Sequence, residues 1–255
     1  SFKTGASEAA TEKMYITSTG NVNIKNTATG DDTPLVLTLQ TGETDIAAAD
    51  VLGQIDFQAP DEGTGTDAIL VAAGVSAISE GDFSSSSNAT KLSFKTAASE
   101  AATEKMYITS TGNVNMKNTA TGDDTPVTLT LQTGETDIAA ADKLGVINFQ
   151  APDEGTGTDA ILVAAGIEAI SEGDFSSSNN ATKLSFKTAA SEAATEKMHI
   201  TSVGNVNMKN TATGDDTPVV LTLQTGETDI AASDKLGVIN FQAPDEGTGT
   251  DAILV

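Results

Sequence analysis

The sequence predicts an all-β fold built from tandem repeats, and three observations carry that prediction. Blocks of sequence recur at fixed spacing: SFKT at Ser1, Ser93 and Ser185, GNVN at Gly20, Gly112 and Gly204, and FQAPDEGTGTDAILV at Phe57, Phe149 and Phe241, each with a period of 92 residues. Within each copy apolar and polar residues alternate with the period of two that marks strands. Between the alternating stretches lie short segments rich in Gly, Asn, Asp and Pro, the residues that let a chain reverse.

The repeats divide the chain into 1–92, 93–184 and an incomplete third copy, 185–255. In the middle copy Leu92, Phe94 and Thr96 alternate with Ser93 and Lys95, and Met106 and Ile108 alternate with Tyr107 and Thr109. Val114 and Met116 follow, then Val127, Leu129 and Leu131 in PVTLTLQT, Ile147 and Phe149 in GVINFQA, and the apolar run AILVAAGIEAI over 160–170. These read as about six antiparallel strands per copy, a meander, separated by turns at 110–113, 121–126, 133–137, 152–159 and 171–180. In the last turn Phe175, like Phe83 before it, reads as a single apolar anchor. The segments at 100–105 and 137–142 favour helix by composition, but both fall short of the roughly 12 residues an isolated helix needs and are read as loops.

Differences between the copies identify the faces of the strands. Gln54 becomes Val146 and Asp56 becomes Asn148, whereas Ile55 and Phe57 keep their type as Ile147 and Phe149, so this strand has one tolerant face and one apolar face. The expected core is Phe94, Met106, Ile108, Leu129, Leu131, Ile147 and Phe149. Hydrophobic residues are 38% of the chain but aromatics only 4%, with no Trp, so a single chain can build only a thin core. The apolar face must be covered either by folding over into a small sandwich, giving beads on a string, or by three chains meeting about a common axis. The linker-free, nearly identical copies favour the second, because a symmetric assembly needs the same face at every level.

Bulk charge narrows the partners. A net charge of −23 opposes binding to nucleic acid and to anionic membrane surfaces, and no apolar run is long enough for a helical membrane span. No cysteine is present, which removes disulfides and thiol chemistry. The chain opens on Ser1 inside a strand pattern and stops at Val255 inside a repeat, which reads as a piece of a longer polypeptide.

The pattern KLSFKTAASEAATEKMYITSTGNVNM at 91–116, seen again at 183–208 with His199 where Tyr107 stands, resembles the repeats of phage tail-fibre and fibre-like virion proteins, especially those of marine phages. Here GNV continues into NMKN, where that family commonly has a Gly-Ile-Gly run. The resemblance implies an elongated homotrimeric β-fibre on the virion surface, whose partners are its own copies, other virion proteins and, through segments beyond these, a host receptor. Such fibres often carry a recognition tip and sometimes a self-cleaving chaperone domain. The function so implied is that of a shaft that holds a tip away from the particle, without catalysis. Two alternatives come from other classes: a cellular adhesin or matrix filament of β-sandwich beads, and a polysaccharide-degrading tailspike.

Candidate chemistry is sparse. The single histidine, His199, is Tyr15 and Tyr107 in the other copies, so the repeat has no need of an imidazole. The acidic turns carry oxygen ligands of the kind Ca²⁺ prefers, at Asp61, Glu62 and Asp67, at Asp153, Glu154 and Asp159, and at Asp245, Glu246 and Asp251. Their spacing matches neither an EF-hand nor the calcium-binding nonapeptides, and a solvated hairpin loop is the simpler reading, with no cofactor expected. The Gly-Asp-Asp at 122–124 reads in the same way as turn chemistry. Glycosidase chemistry needs a carboxyl group of raised pKa in a cleft, usually among aromatic platforms, whereas these carboxylates sit in Gly-rich turns. GTGT lacks a phosphate-loop lysine and precedes a strand. The serines of SSSNN have no base placed consistently across copies to activate one.

Overall fold

A computed structural model describes residues 1–5, 9–60, 67–152 and 161–241. The chain forms two compact units, Ser1–Thr128 and Leu129–Val255. In the first unit β1 (Phe2–Thr4), β2 (Thr11–Ile16) and β3 (Val22–Ile24) make a three-stranded antiparallel sheet. A second, five-stranded antiparallel sheet follows, from β4 (Val51–Gln58), β5 (Val71–Ser79), β6 (Thr90–Thr96), β7 (Thr103–Ile108) and β8 (Val114–Met116), in that order. The second unit repeats this meander with β9 (Lys143–Phe149), β10 (Ala165–Ser171), β11 (Thr182–Thr188), β12 (Thr195–Ile200) and β13 (Val206–Met208). Val51 and Lys143, which open the two sheets, are 92 residues apart, so sheet and sequence share one period. Their phases differ, however, because β6 runs through positions 92 and 93.

Register gives each sheet two chemically distinct faces. Ile55, Val75, Phe94, Met106 and Met116 stand opposite one another across all five strands, and Ile147, Ile167, Phe186, Met198 and Met208 repeat the row in the second unit. The other face carries the row Gln54, Ser76, Ser93, Tyr107 and Asn115, which becomes Val146, Glu168, Ser185, His199 and Asn207. Since a strand alternates strictly, a slip of one residue would turn every apolar side chain onto the polar face. The β7–β8 hairpin is closed by Gly112, whose φ of 84° places it in the left-handed region, and by bonds from Gly112 N to Thr109 O and from Thr109 N to Asn113 O, each 3.0 Å.

Four sequence expectations need correction. Each five-stranded sheet has one strand fewer than the six read per copy, because PVTLTLQT is in no ladder among the described residues. The 160–170 run is not one strand, since β10 begins only at Ala165. At 100–105 the loop ends early, because the sheet recruits Thr103, Glu104 and Lys105 into β7. The anchors Phe83 and Phe175 are exposed. The segment at 137–142 is a turn, as expected, and buried Ser171 pins it. Ser171 Oγ donates to Ala139 O and accepts from Asp142 N at 3.1 Å, while Ser171 N donates to Asp142 O and Ala141 N to Ser171 O.

That turn holds Ala141 at φ 76°, Ala49 at 77° and Ser233 at 79°, a conformation L-residues adopt at a cost of roughly 1–2 kcal/mol. Replacing Ala141 by glycine is therefore expected to stabilise the second sheet by up to about 1 kcal/mol, read as a higher denaturation midpoint. A lower midpoint would contradict this account of the turn.

Candidate functional site

The feature with functional potential is the apolar face. Among the described residues the only buried hydrophobic side chain is Ala194, while Ile55, Phe57, Leu92, Ile147, Phe149 and Leu184 are exposed. Of the expected core, Leu129, Leu131, Ile147 and Phe149 are exposed, and Phe94, Met106 and Ile108 only half-buried. Phe94, Met106 and Ile108 share the apolar face of the first five-stranded sheet, and Ile147 and Phe149 that of the second, as the alternation predicts, but among the described residues nothing encloses them.

The extended segment after each meander borders this face. A Cβ built on Gly145 of β9 would lie 3.0 Å from Leu131 Cβ, and the equivalent distances are 2.9 Å for Gly53 to Leu39 and 2.8 Å for Gly237 to Leu223. A glycine at that step lets the leucine cross the strand. A groove of about 230 Å³ remains between Leu129 and Leu131 on one side and Ile147, Ile167 and Leu184 on the other. Asn118 aims the segment: its side-chain amide donates to Thr125 O and Pro126 O, both at 3.3 Å, and its Oδ1 accepts from Ala120 N. Asn26 and Asn210 do the same in their copies.

The opposite face is roofed by ion pairs. Glu104 meets Lys91 at 2.8 Å and Lys117 at 3.2 Å, and Lys91 also lies 4.9 Å from the centre of the Tyr107 ring. Glu196 meets Lys183 and Lys209 in the same way, with His199 Nδ1 at 3.0 Å. His199 thus sits in an ion-pair cluster on the polar face. Beneath these roofs the small side chains of Ser76, Ser93 and Ser185 are fully shaded, and among the described residues the Ser76 hydroxyl lacks a hydrogen-bond partner. In the second sheet Glu168, 4% exposed, takes the place of Ser76 and binds both Lys143 and Lys187 at 2.8 Å.

Partial burial would raise the Glu104 and Glu196 carboxyls, but their lysine partners outweigh it and bring each down to about 2. A carboxyl group lowered in the folded state stabilises it above the unfolded value of 4.5, and that contribution disappears as pH falls through the folded value. Between pH 5 and pH 2 the chain is expected to lose on the order of 1–2 kcal/mol per carboxylate, after allowance for solvent screening. The replacement Glu104→Gln should flatten the acid limb of the denaturation midpoint against pH. An unchanged limb would exclude the pair as its source.

Asp61, Glu62, Asp153, Glu154, Asp159, Asp245, Glu246 and Asp251 lie outside the described residues, and Asp67 opens a short 3₁₀ turn, Asp67–Ile69. Among the described residues no three acidic or imidazole groups come together as metal ligands. Gly-Asp-Asp at 122–124 forms a tight turn with Asp124 at φ 54°. Sequence reasoning missed the Lys143–Glu168–Lys187 triad, although a signal was present. Val51 and Ser76 of the first sheet become Lys143 and Glu168 together.

No protein-family model matches the chain, and no curated protein does. Among solved structures, the carboxy-terminal domain of the bacteriophage T5 L-shaped tail fibre aligns over 86% of this chain and 98% of its own, at 12% identity and a TM-score of 0.30. The same domain with its intramolecular chaperone aligns over 91% of this chain and 71% of its own, also at 12% identity, with a TM-score of 0.32.

Proposed function

We propose that the chain is part of the structural shaft of a viral fibre of the phage type, a homotrimer on the virion surface that projects a host-recognition tip carried by other segments. One observation supports this above all: an apolar row crosses every strand of each sheet, recurs every 92 residues, and in the single chain is exposed on the edge strands and only half-buried between them. A sandwich bead would enclose such a face within its own chain. Two further copies in register would cover it at every level, because each presents the same row at the same height. The role is mechanical: repetition sets reach, and three chains in register give avidity at the tip without new contacts.

The mass in solution tests the reading. Light scattering on the whole chain should give three times the chain mass, the same with and without a chelator. A monomeric mass would overturn the trimer and favour the adhesin of separate beads, and dissociation by chelator would make the acidic turns cation sites that the assembly needs.

A further inference from the structure

We propose that the paired difference between the sheets, Val51 with Ser76 in the first and Lys143 with Glu168 in the second, is a recognition code that makes the opening strand of each sheet pair with its own meander. Tandem copies this similar face a sorting problem, since β4 and β9 share Leu, Gly, Ile or its equivalent and Phe on the apolar side and differ only on the polar side. Strand exchange between copies is the characteristic failure of repeat proteins. On the apolar face Ile55 opposite Val75 and Ile147 opposite Ile167 are interchangeable, so hydrophobic packing cannot sort the strands.

The polar face can. If β4 replaced β9 beside β10, Val51 would stand where Lys143 bonds Glu168, and Asp56 where Asn148 stands. A carboxylate that is 4% exposed would lose one of its two lysines, and a new negative charge would enter the same face. If β9 replaced β4, Lys143 would meet Ser76, whose buried hydroxyl is no counter-ion. A swap of the two strands is thus penalised at Glu168 with no gain at Ser76, whereas both correct pairings are not penalised, which is how specificity arises from a difference rather than from a strong contact. An ion pair whose lysine is half exposed adds little net stability, so sorting accounts for this one better than stability does. Lys235, Val238 and Asn240 give the equivalent segment of the third copy the sequence of the second class.

The test uses the absence of cysteine from the whole chain. Phe149 stands opposite Ala165 and Phe57 opposite Ala73, so a disulfide in the variant Phe57→Cys/Ala165→Cys forms only when β4 has paired with β10, in the same chain or another. After oxidative refolding, peptide mass spectrometry measures that linkage against the correct one in Phe149→Cys/Ala165→Cys. Adding Lys143→Val with Glu168→Ser, which makes the second code a copy of the first, is expected to raise mispairing about tenfold. Adding Val51→Lys with Ser76→Glu instead makes both codes the second type. This should raise mispairing as much although every ion pair is kept, an outcome that a purely stabilising role would not give. A rise of threefold or more in both variants sustains the code. A smaller rise in either overturns it.

Discussion

Phe149→Asp is expected to leave folded chains that no longer associate. The ring is 54% exposed in the single chain, so its loss should spare the β9–β10 ladder, and circular dichroism should stay close to that of the parent. In the proposed trimer the same ring turns inward from three chains at one level. Removing it forfeits roughly 1.5–3 kcal/mol of burial per chain. Leaving a carboxylate in an apolar contact without a partner costs several kcal/mol more, multiplied by three. Dissociation constants should therefore rise by several orders of magnitude, and light scattering at micromolar concentration should report monomer. Intact trimers of this variant would show that the apolar row is not the interface.

The second large effect is expected at Ser171. Among the described residues its hydroxyl is the one side-chain group that ties the 139–142 turn to the end of β10, donating to Ala139 O and accepting from Asp142 N, and the residue is 2% exposed. In Ser171→Ala both backbone groups lose that partner at a half-buried turn, at about 0.5–1.5 kcal/mol for each bond lost. Asp142 N and Ala139 O keep a longer bond to each other at 3.2 Å, so a total of about 1–2 kcal/mol is expected. Hydrogen exchange should localise the loss to β9 and the end of β10. Ser79→Ala should act in the same way on β4 and β5, because Ser79 makes the same bonds to Ala47 and Asp50. A change below 0.5 kcal/mol in both would mean that the turn is held by its backbone alone.

How far the sequence could be read depends on which force wrote each part of it. Strand identity at Leu92 to Thr96, Met106 to Ile108, and Ile147 to Phe149 was legible because one side of each strand is apolar, and burial imprints a period of two. The same imprint misled at Val127, Leu129 and Leu131. Alternation reports which side chains seek an apolar neighbour and carries no information on whether the backbone finds a ladder partner. The strand residues of the apolar faces were legible, but their enclosure was not: alternation marks which side chains seek an apolar neighbour, and in the single chain these stay exposed or half-buried. The start of β7 at Thr103 was obscured because Glu104 and Lys105 favour helix in isolation, and the cross-strand pairing of Glu104 with Lys95 overrides that preference. The triad at Glu168 was legible only by comparing copies at two positions together, since neither substitution alone marks a contact.

The offset between sheet and repeat bears on how such a gene can change length. Near-identical tracts of DNA misalign and recombine, adding or deleting one whole period. A crossover at almost any point restores a complete meander, because what is lost from one copy is supplied by the next. The exception lies between the codons for Lys143 and Glu168, or between those for Val51 and Ser76. A crossover there joins the opening strand of one class to the second strand of the other. Lengths should therefore vary by whole periods, with surviving junctions depleted in that interval of 25 codons.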